Sequence, residues 1–227
     1  MKNIYIKSLL ILFIIFSVMN CSREKLNEDE PVQVNSDSLE TLYERGMTFH
    51  EYLDEMSEGN SFWKENYDRV QQIRDDLLSN ARTIPQSWKL LAVTELENTD
   101  AENTIPYLAR LTDRVHSMEL RIIGKENLEN LINEYQTYDG RSTTPLILVL
   151  NSEFEEVGCW VERPAELQRW IRDNRDNLEQ EELNSEMVKW YRRNQGTRAI
   201  DEITRIVKAA NAGDRICPVP EEGLRSR

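Results

Sequence analysis

The sequence predicts an α/β fold in which a mixed sheet is flanked by helices, with further helices at both ends of the chain. Three observations support this class. Short apolar segments alternate with amphipathic helical segments between residues 88 and 175, as in βαβ units. The last two strand-like segments of this region follow one another closely, as in a hairpin. Segments with helical periodicity and no strand pattern lie before and after it.

Helical patterns occupy the region before the sheet. A short helix is predicted over residues 38–47. Thr48 and Glu51 have the spacing of a capping box, which predicts a second helix over 49–58. Apolar residues at helical spacing then predict one longer helix over 62–80.

The sheet region has the predicted order strand, helix, strand, helix, strand, strand, helix. These elements are placed at residues 88–93, 101–114, 120–123, 126–135, 145–150, 155–160 and 164–174. Within the first of these helices, the spacing of Ile105, Leu108 and Leu111 predicts a face turned toward the core. Strands separated by a helix pair in parallel through right-handed crossovers, whereas closely spaced strands pair antiparallel. A mixed sheet is therefore expected.

Two more helices are predicted after the sheet, over 180–193 and 197–209, separated by Gly196. We find no internal repeat, so the chain is interpreted as one domain with helical additions. Its predicted parts are a leader over 1–20, an acidic tether over 21–38, N-terminal helices over 39–87, a core over 88–175, C-terminal helices over 176–212 and a loose tail over 213–227.

The first 21 residues predict an export signal that ends at a lipidation site. Lys2 and Lys7 precede an apolar run that is shorter than the ~20 residues needed to span a bilayer. The segment 18–21, Val-Met-Asn-Cys, resembles the lipobox of bacterial lipoproteins, although Asn20 departs from the small residue usual before the cysteine. This resemblance implies acylation of Cys21 and anchoring to a membrane without crossing it. The alternative is an ordinary secretory peptide.

The location that follows is the bacterial cell envelope, with the lipid anchor in the outer membrane. Both its periplasmic face and the cell surface remain open as positions. The tether after Cys21 is polar, acidic and free of aromatic residues, which is typical of a segment with little to bury. A membrane is thus the first predicted partner, and an envelope protein or peptide the second.

Charge and residue types exclude several other partners. A formal charge of -13 argues against nucleic acid. His50 and His116 belong to different predicted helices, so no metal-ligand spacing is present, and no cofactor motif occurs. Cys159 and Cys217 are 58 positions apart. Spacing alone does not decide whether they pair in an oxidising compartment or leave Cys159 as a buried thiol.

Pro106 lies within the first helix of the predicted sheet region, and Pro145 opens its third strand. Together with the element order, these prolines resemble the pattern of the thioredoxin family, which carries Cys-x-x-Cys at the start of a helix with a proline eight residues after the first cysteine. The motif positions are then Asn98, Thr99, Asp100 and Ala101. The family's cis proline before the third strand matches Pro145, which follows Thr144. The resemblance implies a thioredoxin-like mixed sheet.

The similarity is closest to bacterial members of the family that have flanking helices. It extends over about residues 48–207. The matching segments are Glu95-Leu96-Glu97-Asn98-Thr99-Asp100, Arg141 to Pro145, Gly158 to Trp160, Arg163-Pro164, Trp190-Tyr191, Gly196-Thr197 and Glu202-Ile203.

The departures from the family pattern determine the predicted activity. Asn98 stands in place of the nucleophilic cysteine, Ala101 in place of the resolving cysteine, and Glu97 where a tryptophan is usual. Asparagine cannot form a thiolate or a mixed disulfide, so no catalytic residue is predicted here. Asn98 is expected to cap the helix instead.

The function expected from this pattern is binding. Backbone groups at the helix start and at Thr144 and Pro145 are predicted to hydrogen-bond an extended peptide. An alternative is that the helical flanks carry the partner surface. A hypothesis of a different class is a thiol–disulfide oxidoreductase that uses Cys159 or Cys217, and a third is a surface component of an uptake or adhesion complex.

Overall fold

The computed structural model describes residues 37–56, 60–69 and 73–217. The predicted leader, the lipidation site at Cys21, and all but the last two residues of the predicted tether lie outside the described residues. Across the three described ranges, no helix is both long enough and apolar enough to cross a membrane.

Ten helices and four strands make up the described part of the chain. The helices are α1 Leu39–Arg45, α2 Phe49–Glu55, α3 Ser61–Arg69, α4 Asp75–Arg82, α5 Thr99–Glu102, α6 Ile105–Thr112, α7 Glu129–Asn133, α8 Ala165–Asn174, α9 Gln180–Asn194 and α10 Thr197–Asn211. The strands are β1 Trp88–Thr94, β2 Met118–Gly124, β3 Leu146–Leu150 and β4 Glu156–Val161.

The sheet has the order β2-β1-β3-β4. β1 pairs with β2 in parallel and with β3 antiparallel, while β3 and β4 form an antiparallel pair. The predicted α/β class, with a mixed sheet flanked by helices, is confirmed. All five residues of β3 are buried, because helices cover both faces of this strand.

The two faces of the sheet pack against different helices. Leu90 and Ala92 face a core that includes α6, where Ile105, Leu108 and Leu111 are fully buried as expected. Neighbouring side chains alternate across a strand, so Leu91 and Val93 face the opposite core, which includes residues of α1 and α7. Cys159 belongs to this second core.

The helix predicted over 62–80 is wrong as a continuous element. α3 ends at Arg69 and α4 begins at Asp75, with extended backbone at Arg74 (φ -50°, ψ 134°). α3 packs against α6 and α4 packs against α10, so the two helices have different partners. The capping box predicted at the start of α2 is present: the Thr48 hydroxyl accepts from the Glu51 N–H, and the Glu51 carboxylate accepts from the Thr48 N–H.

The predicted loose tail is wrong for residues 214–217. The Cys159 N–H donates to the Ile216 carbonyl oxygen at 3.0 Å, and Ile216 forms a parallel bridge with Gly158. Glycine permits this approach, since a Cβ at position 158 would lie 3.0 Å from the Ile216 carbonyl oxygen and 2.4 Å from Cγ2 of Ile206. Of the two alternatives for the cysteines, the structure has the disulfide between Cys159 and Cys217.

The turn between α9 and α10 requires glycine. Gly196 has φ of +71°, and a Cβ there would lie 2.1 Å from Cγ of Tyr107 on α6. The left-handed backbone and the close approach to a ring both exclude a side chain. The matching segment at Gly196 therefore has a structural role, which is to seat the C-terminal helices on α6.

Candidate functional site

The four motif positions form the turn from β1 into α5. The Asn98 side-chain oxygen accepts a hydrogen bond from the Ala101 N–H at 2.9 Å, so the helix cap expected of Asn98 is present. Ala101 is fully buried in the core that contains α6. A polar side chain therefore caps α5 at the position where the thioredoxin pattern has its first cysteine.

The amide of Asn98 also ties this turn to the loop before β3. Its Nδ2 donates to the Thr144 carbonyl oxygen at 3.1 Å and contacts the Thr144 hydroxyl at 3.2 Å. The Thr144 hydroxyl donates to Oε1 of Glu95 at 3.1 Å, and Glu95 pairs with Lys125. The Thr144–Pro145 peptide bond is cis, as expected. One side chain therefore connects the two segments that were predicted to bind a peptide.

The accessible part of this region is displaced from the predicted contact residues. Thr144 is 6% exposed and Pro145 is buried, and the Thr144 carbonyl oxygen already accepts from Asn98. Leu96, by contrast, is 48% exposed, and Glu97 beside it is also exposed. Sequence patterns did not single out Leu96 because one apolar residue in a polar turn is not periodic.

Asp100, the third motif position, is buried and accepts hydrogen bonds from two side chains. It accepts hydrogen bonds from the Tyr191 hydroxyl and, at 2.6 Å, from Nη2 of Arg163. Burial raises the pKa of Asp100 to about 6, although the Arg163 charge and the bond from Tyr191 lower it. Three segments of the resemblance, far apart in the chain, meet at this carboxylate.

The network continues from Arg163 to the loop before β3. Arg163 also contacts Glu162 at 2.9 Å, and Glu162 binds Arg141 with both oxygens, at 2.6 and 2.8 Å. Arg141 in turn donates to Asp139 at 2.9 Å. Charge-assisted, bidentate hydrogen bonds of this kind are strong and fix the orientation of a guanidinium group. The turn after β4 is thereby held to the loop that leads to Thr144.

A second buried carboxylate, Glu202, joins α10 to β4 and α8. It accepts from Nε1 of Trp160 at 2.7 Å and from the Ala165 N–H at 3.1 Å. Its side chain is fully buried, and burial raises its pKa to about 7 despite the two N–H donors, which lower it. Two further segments of the resemblance, at Trp160 and Glu202, therefore meet in the core.

We expect Glu202 to make stability depend on pH. Because burial raises its pKa from 4.5 to about 7, the folded chain holds a proton over a range in which the unfolded chain has lost it. The contribution of Glu202 should therefore lower the free energy of unfolding by up to about 3 kcal/mol between pH 4.5 and 7, and change little above pH 7. Urea unfolding of the wild type and Glu202→Gln across this range measures it.

Only the difference between these two proteins is diagnostic, because Asp100 and other groups titrate in both. The advantage of the wild type over Glu202→Gln should shrink as the pH rises. Glu166→Gln, which removes a half-exposed carboxylate from α8, controls for the loss of one acid. A difference between wild type and Glu202→Gln that is the same at every pH would contradict the prediction.

The cysteines of the alternative redox hypothesis lie away from the motif turn. Cys159 is fully buried and bonded to Cys217, with their Cα atoms 4.6 Å apart. It faces the core of α1 and α7, whereas α5 and α6 pack on the other face of the sheet. Cys217 is partly exposed. The disulfide therefore joins β4 to the C-terminal segment. It lies on the face of the sheet opposite to α5, the helix that Asn98 caps.

Metal ligands do not cluster in the described ranges. No cluster of three or more histidine, cysteine, aspartate or glutamate side chains there could hold a metal ion. His50 on α2 and His116 before β2 are both exposed.

Comparison with known proteins supports the fold. A family model described as Thioredoxin matches residues 46–182. A crystal structure of a protein of unknown function from Pseudomonas aeruginosa aligns with a TM-score of 0.61 and 19% identity, over 77% of this chain and 99% of that one. An HIV epitope scaffold aligns with a TM-score of 0.59 and 18% identity, over 76% and 99% of the two chains. No curated protein matches the chain significantly.

Proposed function

The chain belongs to the thioredoxin family, and from this membership we propose that it is a membrane-anchored module that binds a protein or peptide in the bacterial cell envelope without thiol–disulfide exchange. The observation that carries the proposal is Asn98. It holds the nucleophile position, and both ends of its amide are engaged, with the Ala101 N–H and with Thr144. Exchange needs a thiolate at this position, and an amide supplies none.

The arrangement of the cysteines supports the same conclusion. A nucleophilic cysteine is accessible and has a lowered pKa. Cys159 is instead fully buried in the core and forms a disulfide with Cys217. The oxidoreductase hypothesis would require this structural bond to open before any chemistry began.

The surface offered to a partner is the outer side of the motif turn. Leu96 in this turn is a large apolar residue that is about half exposed. The nearby Glu97 and Thr99 are exposed polar residues. Tyr138, which is 46% exposed, lies in the loop that leads to Thr144. Apolar side chains within a polar rim are typical of small protein-interaction sites. A peptide would contact this rim, since Thr144 itself is buried.

The proposed location rests on the N-terminal sequence and on the disulfide. Acylation at Cys21 would attach the protein to the outer membrane, on its periplasmic face or at the cell surface. Disulfides persist in such oxidising compartments and are rare in the cytosol. The pair between Cys159 and Cys217 is consistent with that environment.

Site-specific photo-crosslinking in cells tests the binding proposal. A benzoylphenylalanine introduced at Leu96 should give a discrete adduct with an envelope protein, because this side chain points into solvent at the proposed rim. The matched control is Phe62 on α3, which is 61% exposed but distant in sequence from the motif turn. Adducts from position 62 and none from position 96 would move the partner surface to the helical flanks.

An insulin-reduction assay tests the absence of thiol–disulfide exchange. The purified full-length protein should not accelerate insulin reduction by dithiothreitol above the uncatalysed rate. Turnover in the wild type that disappears in Cys159→Ala would overturn the proposal in favour of the oxidoreductase. Loss of membrane attachment in Cys21→Ala would support the anchor separately from either result.

A further inference from the structure

The outer edge of β2 is only partly paired. β2 is an edge strand of the sheet, and its inner side pairs with β1. On its outer side, Ile122 and Met47 exchange two backbone hydrogen bonds of 2.8 Å in antiparallel geometry. The chain then leaves this edge, because Thr48 caps α2. The part of β2 that precedes Ile122 is therefore left without this partner.

Leu120 presents free peptide groups on the outer side. At the start of β2 the Trp88 N–H donates to the Ser117 carbonyl oxygen at 2.8 Å, so the odd-numbered residues of this strand face β1. The even-numbered residues face outward, as Ile122 does. Within the described ranges, Leu120 forms no backbone hydrogen bond to another element on that side. Free peptide groups on an edge strand are a template for pairing with another chain.

A pocket of about 330 Å³ opens beside this edge. Phe49 and Tyr67, whose stacked rings are 4.9 Å apart, line one side of it, and Met118 and Leu120 line the other. We call this pocket, together with the outer edge at Leu120, the β2 groove. Met118 and Leu120 face the core that contains α6. Alternate side chains of a strand added here would lie on the same face and enter the pocket.

An exposed carboxylate borders the β2 groove. Glu119 lies between the two residues of β2 that line the pocket, so its side chain is on the other face of the sheet. It accepts a hydrogen bond at 3.3 Å from the neutral Tyr43 hydroxyl. The nearby Arg121 contacts Glu51 at 4.0 Å. In a chain of formal charge -13, a cation beside Glu119 is favoured both locally and by the field of the whole molecule.

We propose that the β2 groove binds an extended segment of a partner protein in which a cationic residue lies between two apolar residues. The segment adds to β2 as a short antiparallel strand, and its backbone exchanges hydrogen bonds with Leu120 as Met47 does with Ile122. Its apolar side chains enter the pocket, and its cationic side chain lies beside Glu119.

This site is separate from the partner surface around Leu96. β1 and β2 are parallel, and the motif turn follows the end of β1. The β2 groove lies at Met118 and Leu120, near the start of β2. The two surfaces are therefore at opposite ends of this strand pair, and each binds without the other.

Hydrogen exchange measured by NMR on the purified full-length protein tests the proposal. The probe is the capped tripeptide acetyl-Leu-Lys-Leu-amide, in which either leucine can take the place opposite Leu120. In the free protein the Leu120 amide should exchange faster than that of Ile122, which donates to Met47. With the peptide at about ten times its Kd, exchange at Leu120 should slow about tenfold and exchange at Ile122 should change little.

Two matched peptides and two variants separate the contributions. The same peptide with both leucine nitrogens methylated lacks the donors for the edge and should not protect Leu120. Acetyl-Leu-Glu-Leu-amide should bind more weakly. Glu119→Gln should weaken binding of the lysine peptide by up to about fivefold, the range of a cross-strand charge pair. The control Glu129→Gln removes an exposed carboxylate from α7, outside the groove, and should bind as the wild type does.

Each outcome decides the matter. A Leu120 amide as protected as that of Ile122 in the free protein, or one that the lysine peptide does not slow, overturns the proposal. Equal protection by the methylated peptide overturns strand addition. Equal affinity for the lysine and glutamate peptides, or equal weakening in Glu119→Gln and Glu129→Gln, overturns the assignment to a cationic segment. Crosslinks from Leu96 do not depend on these results, so this proposal and the proposed partner surface fail separately.

Discussion

Replacing Arg163 with methionine should lower the free energy of unfolding by about 3–5 kcal/mol. Arg163 lies between the carboxylates of Asp100 and Glu162, at 2.6 and 2.9 Å, and its side chain is 14% exposed. Without the cation, two buried carboxylates face each other with less compensation. Removing one partner of a buried charge network leaves an uncompensated buried charge. The free energy lost in this way is larger than the net contribution of the intact network to stability.

Urea unfolding at neutral pH measures this loss. The control is Arg198→Met, which makes the same chemical change in an ion pair with Glu166 at 2.8 Å, where both side chains are more than a third exposed. Surface pairs contribute about 0–1 kcal/mol, so the control should change little. Equal losses in the two variants would show that the network around Asp100 is not coupled to folding. Because Arg163 lowers the pKa of Asp100, which is about 6 in the wild type, its removal raises that pKa further. The loss in Arg163→Met should therefore diminish as the pH falls toward 6 and stay constant below it.

Breaking the disulfide with Cys217→Ala should lower the free energy of unfolding by about 4 kcal/mol. The bond joins residues 58 positions apart and closes a loop that contains α8, α9 and α10. In the chain-entropy account, such a link stabilises the fold by restricting the unfolded chain. The change also releases the segment from Asp214 to Cys217 from β4, so proteolysis at the C-terminal end should become faster.

The wild type provides the control for this variant. Adding dithiothreitol should shift the unfolding midpoint of the wild type to that of Cys217→Ala and leave the variant unchanged. A midpoint that does not respond to the reductant, with the thiols shown to be free, would contradict the prediction. A retained midpoint in Cys217→Ala would mean that β4 holds the C-terminal segment without the bond.

Local patterns in the sequence were sufficient for the class of fold and the form of the motif turn. Periodicity placed the strands and most helices, because the apolar face of an element is determined by side chains close together in the chain. The family pattern located Asn98 by its distance from Pro106, and the structure has Asn98 as the cap of α5. Its chemistry follows from residue type alone, since an amide carries no sulfur.

The matching segments were visible in the sequence, but their purpose was not. Asp100, Arg163 and Tyr191 are distant in the chain and meet in one buried network. Trp160 and Glu202 meet in another. Spacing along the chain carries no information on which charged residues will be neighbours in the fold. The sequence therefore indicated which residues matter, and only the packing of helices on the sheet showed what each one binds.

What the sequence by itself determined is local: the order of elements, the cap at Asn98, and the lack of a thiol at the motif. What only the tertiary structure decided depends on contacts between distant segments. These are the break between α3 and α4, the bond from Cys159 to Cys217, the burial of Thr144 and the network around Asp100. The physical reason is that periodicity reports which face of an element is apolar, whereas the partner of that face is chosen by the packing of the whole chain.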